Sequence, residues 1–486
     1  PQPLEVVYTF PLQREAALLG FASELNGQRM QGTLVERKTA EARYEAALSE
    51  GDAPVLLEAL DDGLHTANIG NLAPGDEIVL EIRTAQVAAF DNGRIRLQIP
   101  TTIAPRFGDA LAAGLQPQQV PQTSVLAEYP LALSVRIGHA LAGATVECPT
   151  HRVAHRTDAE GTLLELRGAF LDRDVVIIAT PQGEVPSVLV QALDARSDEA
   201  PVVALAACMP PLQPPRQAIA LKLLVDCSGS MAGDSIASAR RALKGAVETL
   251  ADEDLVSFSR FGDHVQHAVQ AGRAGELRRP LRLQIQATEA NLGGTQMQQA
   301  LEQVFALAIE DRAGRADVLL VTDGEIWQAD DMIAAARASG HRVFAIGVGS
   351  APAQGVLRRL AEATGGACEF VTPGEDLIQA SQRMMRRIRQ PRLQPTRLDW
   401  GGAAVWQTEL PQGVFAGDTV VAMARLSRPT TRVELHLCSE QASEETLAVR
   451  IESGSEPQAD DVLPRLAAAR RLATLEDAEQ RELALR

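Results

Sequence analysis

The chain has 486 residues, too many for one hydrophobic core, so two to four domains are expected. Apolar residues make up 45% of it and charged residues 22%, which argues against disorder, and a net charge of −17 argues against nucleic acid as partner, because phosphate binding needs a positive surface. No apolar run approaches the roughly 18 residues that a membrane helix needs, so no transmembrane segment is expected.

Residues 1 to about 110 read as mostly β. Strand-like stretches at 4–10, 33–36, 78–84 and 94–99 alternate with turn signals such as Asn26-Gly27 and Pro74-Gly75, and one Ala- and Glu-rich helix runs from Thr39 to about Ser49. A Gln- and Pro-rich stretch from Gln116 to Pro121 looks like a boundary. Residues 128–210 are strand-rich again, and Pro210–Pro215 then marks a linker. From Gln217 strands and helices alternate: strands at 219–225, 255–261, 318–321, 343–348 and 369–371, helices at 235–250, 296–309, 330–338, 356–364 and 377–387. Continuous apolar strands alternating with helices mean a parallel sheet covered on both faces. Arg383 through Arg397 holds six arginines and reads as a solvated helix end and linker. After Pro395 the pattern returns to β, and an Ala/Leu/Arg/Glu helix closes the chain. The fold class is therefore multidomain, α/β plus β.

Three short segments carry the chemistry. Asp226-Cys227-Ser228-Gly229-Ser230 ends the first parallel strand, so Asp226, Ser228 and Ser230 alternate and point the same way. Gly293-Gly294-Thr295 stands just before a helix, and Thr322-Asp323-Gly324-Glu325 follows a buried strand. Loops that leave the same edge of a parallel sheet converge, which brings three hydroxyls and two carboxylates around one point. All are hard oxygen donors, suited to Mg²⁺, Ca²⁺ or Mn²⁺ rather than zinc or copper. With hydroxyls as direct ligands the ion keeps positive charge and an open position, which an Asp or Glu of a partner protein can fill.

These motifs, in this order, resemble the metal-ion-dependent adhesion site of von Willebrand factor A (vWA) domains. The resemblance implies a Rossmann-like domain over 216–390, with Ser228, Ser230 and Thr295 as direct ligands and Asp226 and Asp323 holding coordinated waters. A second resemblance, to the vault/inter-alpha-trypsin (VIT) domain, rests on Val7-Tyr8-Thr9-Phe10-Pro11-Leu12, Ala40 with Tyr44 and Ala47, Leu56-Leu57-Glu58, Asn68-Ile69-Gly70-Asn71, Pro74-Gly75 and Ile103 to Phe107. It implies a VIT domain over 1–115, short of its first strands, in a protein like the bacterial relatives of inter-alpha-trypsin inhibitor heavy chains. The Asp-Pro-His segment through which those heavy chains are esterified to glycosaminoglycan is absent. The strand-rich blocks 125–212 and 391–450 are expected to form one β-sandwich split by the vWA domain, with Pro-rich hinges at both junctions and a C-terminal helix over 460–486. Both ends of the chain read as clipped.

The expected function is metal-dependent protein–protein binding without catalysis. A scaffold in which the ion only stabilises the fold is the alternative. No Gly-x-Ser-x-Gly elbow surrounds Ser228 and no phosphate-binding loop with lysine is present. Cys148-x-x-His151-x-x-x-His155 imitates a zinc fragment without a fourth ligand and reads as surface strand, and His264 and His267 lack recognisable partners. Five widely spaced cysteines suit a reducing compartment, and hence the cytoplasm, with a periplasmic or cell-surface place if a leader has been removed. Only three lysines against many arginines, with abundant alanine, hint at bacterial coding.

Overall fold

A computed structural model describes residues 3–13, 16–59, 64–102, 129–138, 141–183, 187–194, 196, 201–216, 218–309, 316–324, 329–349, 354–372, 375–439, 442–452, 457–472 and 474. The boundary expected at Gln116–Pro121, the motif Ile103 to Phe107, Glu325 and the tail from 475 lie outside these residues.

The centre of the molecule is a six-stranded sheet. Its elements, numbered from its first strand, are β1 (Ala220–Asp226), α1 (Asp234–Glu248), β2 (Leu255–Phe261), β3 (Val265–Arg273), α2 (Ala274–Gln286) and α3 (Met297–Phe305). They continue with β4 (Asp317–Thr322), α4 (Asp330–Ala338), β5 (Arg342–Val348), α5 (Gln354–Thr364), β6 (Cys368–Val371) and α6 (Leu377–Arg389). The strand order is β3-β2-β1-β4-β5-β6, parallel except for β3, which runs antiparallel to β2. β1 is apolar on both faces because both are covered. Leu221, Leu223 and Val225 meet α1 and α6, while Leu224 packs with Met297, Leu301 and Leu320 on the other side. Lys222 is the exception in that strand, and its buried ammonium donates to Phe305 O (3.0 Å) and sits 2.8 Å from His341 Nε2. The chain leaves β1 towards β2 on one side and returns to β4 on the other. The carboxyl ends of β1 and β4 are therefore the switch point, where an open α/β sheet has its crevice.

The stretch 271–294, for which the sequence suggests no helix, holds the end of β3 and all of α2, with Leu281 and Ile285 buried on one face despite Pro280. Another departure concerns 33–36, expected as strand, which forms none. In the N-terminal region two three-stranded antiparallel sheets form, Leu4–Pro11/Leu64–Leu72/Val55–Ala59 and Gln28–Gln31/Ala17–Leu25/Ile78–Ala85. The Asn26-Gly27 hairpin turn has φ of 48° and 85°, the paired positive values that favour these two residues.

The block 125–212 divides in two rather than forming one half of a sandwich. Val175–Thr180 pairs with Arg94–Ile99 and faces the sheet Ala154–Asp158/Gly161–Phe170/Pro130–Ile137 over Leu164, Leu166, Val175 and Ile177. Among its described strands, only Val188–Leu193 and Val202–Cys208 join the strands that follow the central unit. Val202–Cys208 pairs antiparallel with Val420–Leu426, and this sheet packs on Leu393–Asp399/Arg432–Ser439/Ala442–Glu452 over Trp400, Val433, Leu435 and Leu437. The central α/β unit thus sits between two pieces of one sandwich. The helix Val462–Leu472 presses Leu463, Leu466 and Ala467 onto Ala17, Ala192, Val203 and Met423.

The junctions are fastened, which corrects two expectations. Arg216, directly after the expected hinge Pro210–Pro215, is buried against Asp317, and Leu393–Asp399 begins a strand almost as soon as α6 ends. Nor is the arginine run a solvated helix end. Arg387 is 2% exposed and contacts Asp91 and Asp418 (the latter at 2.6 Å), Arg383 contacts Glu369, and Arg389 pairs with Asp254. Burying such cations is tolerable only because carboxylates from four separate parts of the chain meet them.

Candidate metal centre

The three segments singled out from the motifs come together at the switch point. Asp226 ends β1 and is fully buried, and Asp323, 4% exposed, follows β4. Asp226 ties the two strands together: Oδ1 accepts the Ser228 amide (2.9 Å) and Oδ2 accepts the Thr322 hydroxyl (2.6 Å). Thr322 Oγ1 in turn accepts the Gly324 amide at 3.0 Å, shaping the turn that presents Asp323. Thr322 belongs to the motif, yet no role for it was legible from sequence. Its signal was its place as the last residue of a buried strand.

Beyond Asp226 the chain makes a short 3-10 turn, Gly229–Met231, anchored by the fully buried Met231. Ser228 is buried in extended backbone, and its Oγ lies 3.1 Å from Ser230 Oγ. The Gly293-Gly294-Thr295 loop is stitched to this turn: Gly229 N donates to Gly293 O (2.8 Å) and Leu292 N to Cys227 O (2.9 Å). Gly293 has a φ of +81°, and a Cβ there would lie 1.9 Å from Asp263 Oδ2, so backbone freedom and space both demand glycine. Thr295 does not cap α3, whose N-cap is Gln296 without a side-chain bond.

Two observations test whether these residues fit a cation. Thr295 Oγ1 is buried and has no hydrogen-bond partner, a state that costs free energy unless something outside the chain meets the oxygen. The Asp226 carboxyl is pushed up to about 6, by burial first and by the neighbouring Asp323 carboxylate second. Two carboxylates crowded into a buried site beside three hydroxyls favour a hard divalent cation. Among the described residues no group of three or more His, Cys, Asp or Glu is placed to hold a metal, so a site here would have to be rich in hydroxyls. In the zinc-like fragment, His151 Nδ1 lies 3.0 Å from Thr150 Oγ1, and Cys148 Sγ lies 3.9 Å from the same atom. His155 is exposed on an edge strand. His267 contacts Ser259 Oγ (2.9 Å) and His264 contacts Gln266 (2.9 Å), which are structural roles.

Sequence comparison places a vault protein inter-alpha-trypsin domain over residues 1–84 and a von Willebrand factor type A domain over 221–382. The chain is 23% identical to the human von Willebrand factor A domain-containing protein 5A over 469 residues, 87% of this chain and 58% of that protein. It is 24% identical to mouse protein mono-ADP-ribosyltransferase PARP4 over 415 residues, 82% of this chain but 21% of that protein. The chain therefore spans less than two thirds of either relative. Among solved structures, a von Willebrand factor type A protein from Catenulispora acidiphila matches with a TM-score of 0.42 at 17% identity, covering 59% of this chain and 78% of that one. Domains of the von Willebrand A type are in general protein-interaction modules. The chain carries a VIT domain followed by a vWA domain, the architecture of the von Willebrand factor A domain-containing protein 5A relatives.

Proposed function

We propose that the chain binds a partner protein through a divalent cation, Mg²⁺, Ca²⁺ or Mn²⁺, held by Asp226, Ser228, Ser230, Thr295 and Asp323. The buried Thr295 hydroxyl carries this reading, since among the described residues no group accounts for its placement. When bound, the ion supplies an electrophilic position that a carboxylate of the partner can fill. The chain's own residues do the remaining work. Ser228, Ser230 and Thr295 offer neutral oxygens, which leave more positive charge for an incoming Asp or Glu than an all-carboxylate set would. Asp226, bonded to both Ser228 N and Thr322 Oγ1, keeps the two strand ends in register, so the donors hold their spacing without the partner.

None of these groups is given a catalytic role in this reading, because no general base stands in a defined relation to a nucleophile among the described site residues. All five cysteines are free, which agrees with a reducing, cytoplasmic setting as part of the proposal. The test is a pull-down from native cell extract with wild type and Thr295→Ala, each in Mg²⁺ and in chelator. A partner retained only by wild type in Mg²⁺ supports the reading. Equal capture under all four conditions contradicts it and leaves the scaffold alternative.

A further inference from the structure

The loop that carries Thr295 has no regular structure, yet its buried hydroxyl meets no hydrogen-bonding group among the described residues. The turn between β2 and β3, Gly262-Asp263, holds it there. Asp263 N donates to Leu292 O at 2.6 Å, and Gln296 N donates to Gly262 O at 2.9 Å. Between these two bonds, Asp263 Oδ1 accepts the Gly294 amide at 2.8 Å. Residues just before Thr295 and just after it are therefore pinned to one turn of a neighbouring strand.

Packing agrees with the hydrogen bonds. A Cβ on Gly262 would lie 2.3 Å from Leu292 O, and one on Gly294 would lie 2.7 Å from Asp263 Oδ1. Together with Gly293, these glycines let the turn and the loop lie backbone against backbone with only the Asp263 carboxylate between them. Leu292 is 7% exposed and anchors the loop's other end in the core. Nothing in the three motifs marks Asp263, which is distant in sequence and belongs to none of them.

We propose that Asp263 is the positioning residue of the metal centre: its carboxylate, by accepting the Gly294 amide, fixes the loop so that the Thr295 oxygen points at the ion. This rests on the metal reading above. A positioning role needs an acceptor oxygen at Oδ1 rather than a charge, so asparagine should serve and alanine should not.

Two measurements on the full chain test it. In chelator, hydrogen exchange of peptides covering 292–296 should speed up roughly fivefold or more in Asp263→Ala, the effect of losing one hydrogen bond, and change little in Asp263→Asn. Titration with Mn²⁺ alone should give a Kd raised at least tenfold in Asp263→Ala and within about twofold of wild type in Asp263→Asn, with exchange in β1 and β4 unchanged in both. Loop exchange in Asp263→Ala equal to wild type overturns the inference whatever the metal does. Asp263→Asn as weak as Asp263→Ala also overturns it, because the charge and not the hydrogen bond would then matter. A wild type that shows no saturable Mn²⁺ binding while Asp263→Ala still loosens the loop would defeat the metal reading itself, and with it the assignment of Asp263 to a metal centre.

Discussion

Thr295→Val should reverse its effect on stability according to whether a divalent ion is present. Valine keeps the shape of threonine and removes only the hydroxyl, whose oxygen is buried without a partner. An unsatisfied buried polar group costs about 1–3 kcal/mol, so without metal the variant should be more stable than wild type by about 1 kcal/mol, the low end of that range. In Mg²⁺ at a hundred times Kd, wild type gains about 2.7 kcal/mol from binding. If loss of one ligand weakens binding about a hundredfold, the variant gains only about 0.4 kcal/mol at the same concentration, and the order inverts by roughly 1 kcal/mol. Guanidinium titrations in chelator and in Mg²⁺, followed by hydrogen exchange of β1 and β4 peptides, read both differences. A variant less stable than wild type in chelator, with an unchanged gain in Mg²⁺, would refute the reasoning, because the hydroxyl would then be making a structural bond.

Two further changes probe the joints around the vWA unit. Asp317→Asn should destabilise by about 3–5 kcal/mol, since Asp317 is buried between Arg216 and Arg342 and its loss leaves their charges unmatched. Burial pushes the Asp317 carboxyl up, but the Arg342 and Arg216 guanidinium groups outweigh it and hold the group below its usual range. Its contribution is therefore complete above the ordinary carboxylate pKa of about 4 and is lost as pH falls through the lower folded value. An acid titration followed by circular dichroism should show wild type losing stability below about pH 4 more steeply than Asp317→Asn does. Arg387→Met should open the joint between the vWA unit and the strands on either side of it, because Asp91, Asp418 and Glu369 would be left facing one another. Faster exchange confined to Phe90–Arg94 and 415–419 is the expected readout, and an unchanged pattern would show that these contacts hold nothing.

The site was legible in the sequence because its geometry is local. A parallel sheet brings the loops after β1 and β4 to one edge, and Ser228 continues β1 in extended backbone, although Ser230 lies in the 3-10 turn Gly229–Met231 and not in the alternating strand the sequence suggests. Asp263 was not legible, because its role lies in a hydrogen bond to Gly294 across the loop, and an Asp after a strand reads as an ordinary turn. The arginine run failed for a similar reason. Whether Arg387 is solvated depends on Asp91, 296 residues away in the chain, and on Asp418, and no periodicity in 383–397 announces either. In α2, Pro280 argues against a helix, and the i, i+4 pair Leu281 and Ile285 that buries one face is too short a pattern to announce it. The partition of 125–212 depends on Val175–Thr180 choosing Arg94–Ile99 as partner, a pairing of apolar strands that composition alone does not specify.

The central claim is that one divalent ion is held with a coordination position open to a carboxylate. Mn²⁺ titrated into the full chain, with the relaxation of solvent water protons as the signal, tests both halves at once. The account predicts one saturable Mn²⁺ per chain that relaxes exchanging water, and a fall in that relaxation when a short peptide containing a single Asp is added but not when Asn replaces it. No saturable site in wild type, or a bound ion whose water relaxation is indifferent to the Asp peptide, would contradict it.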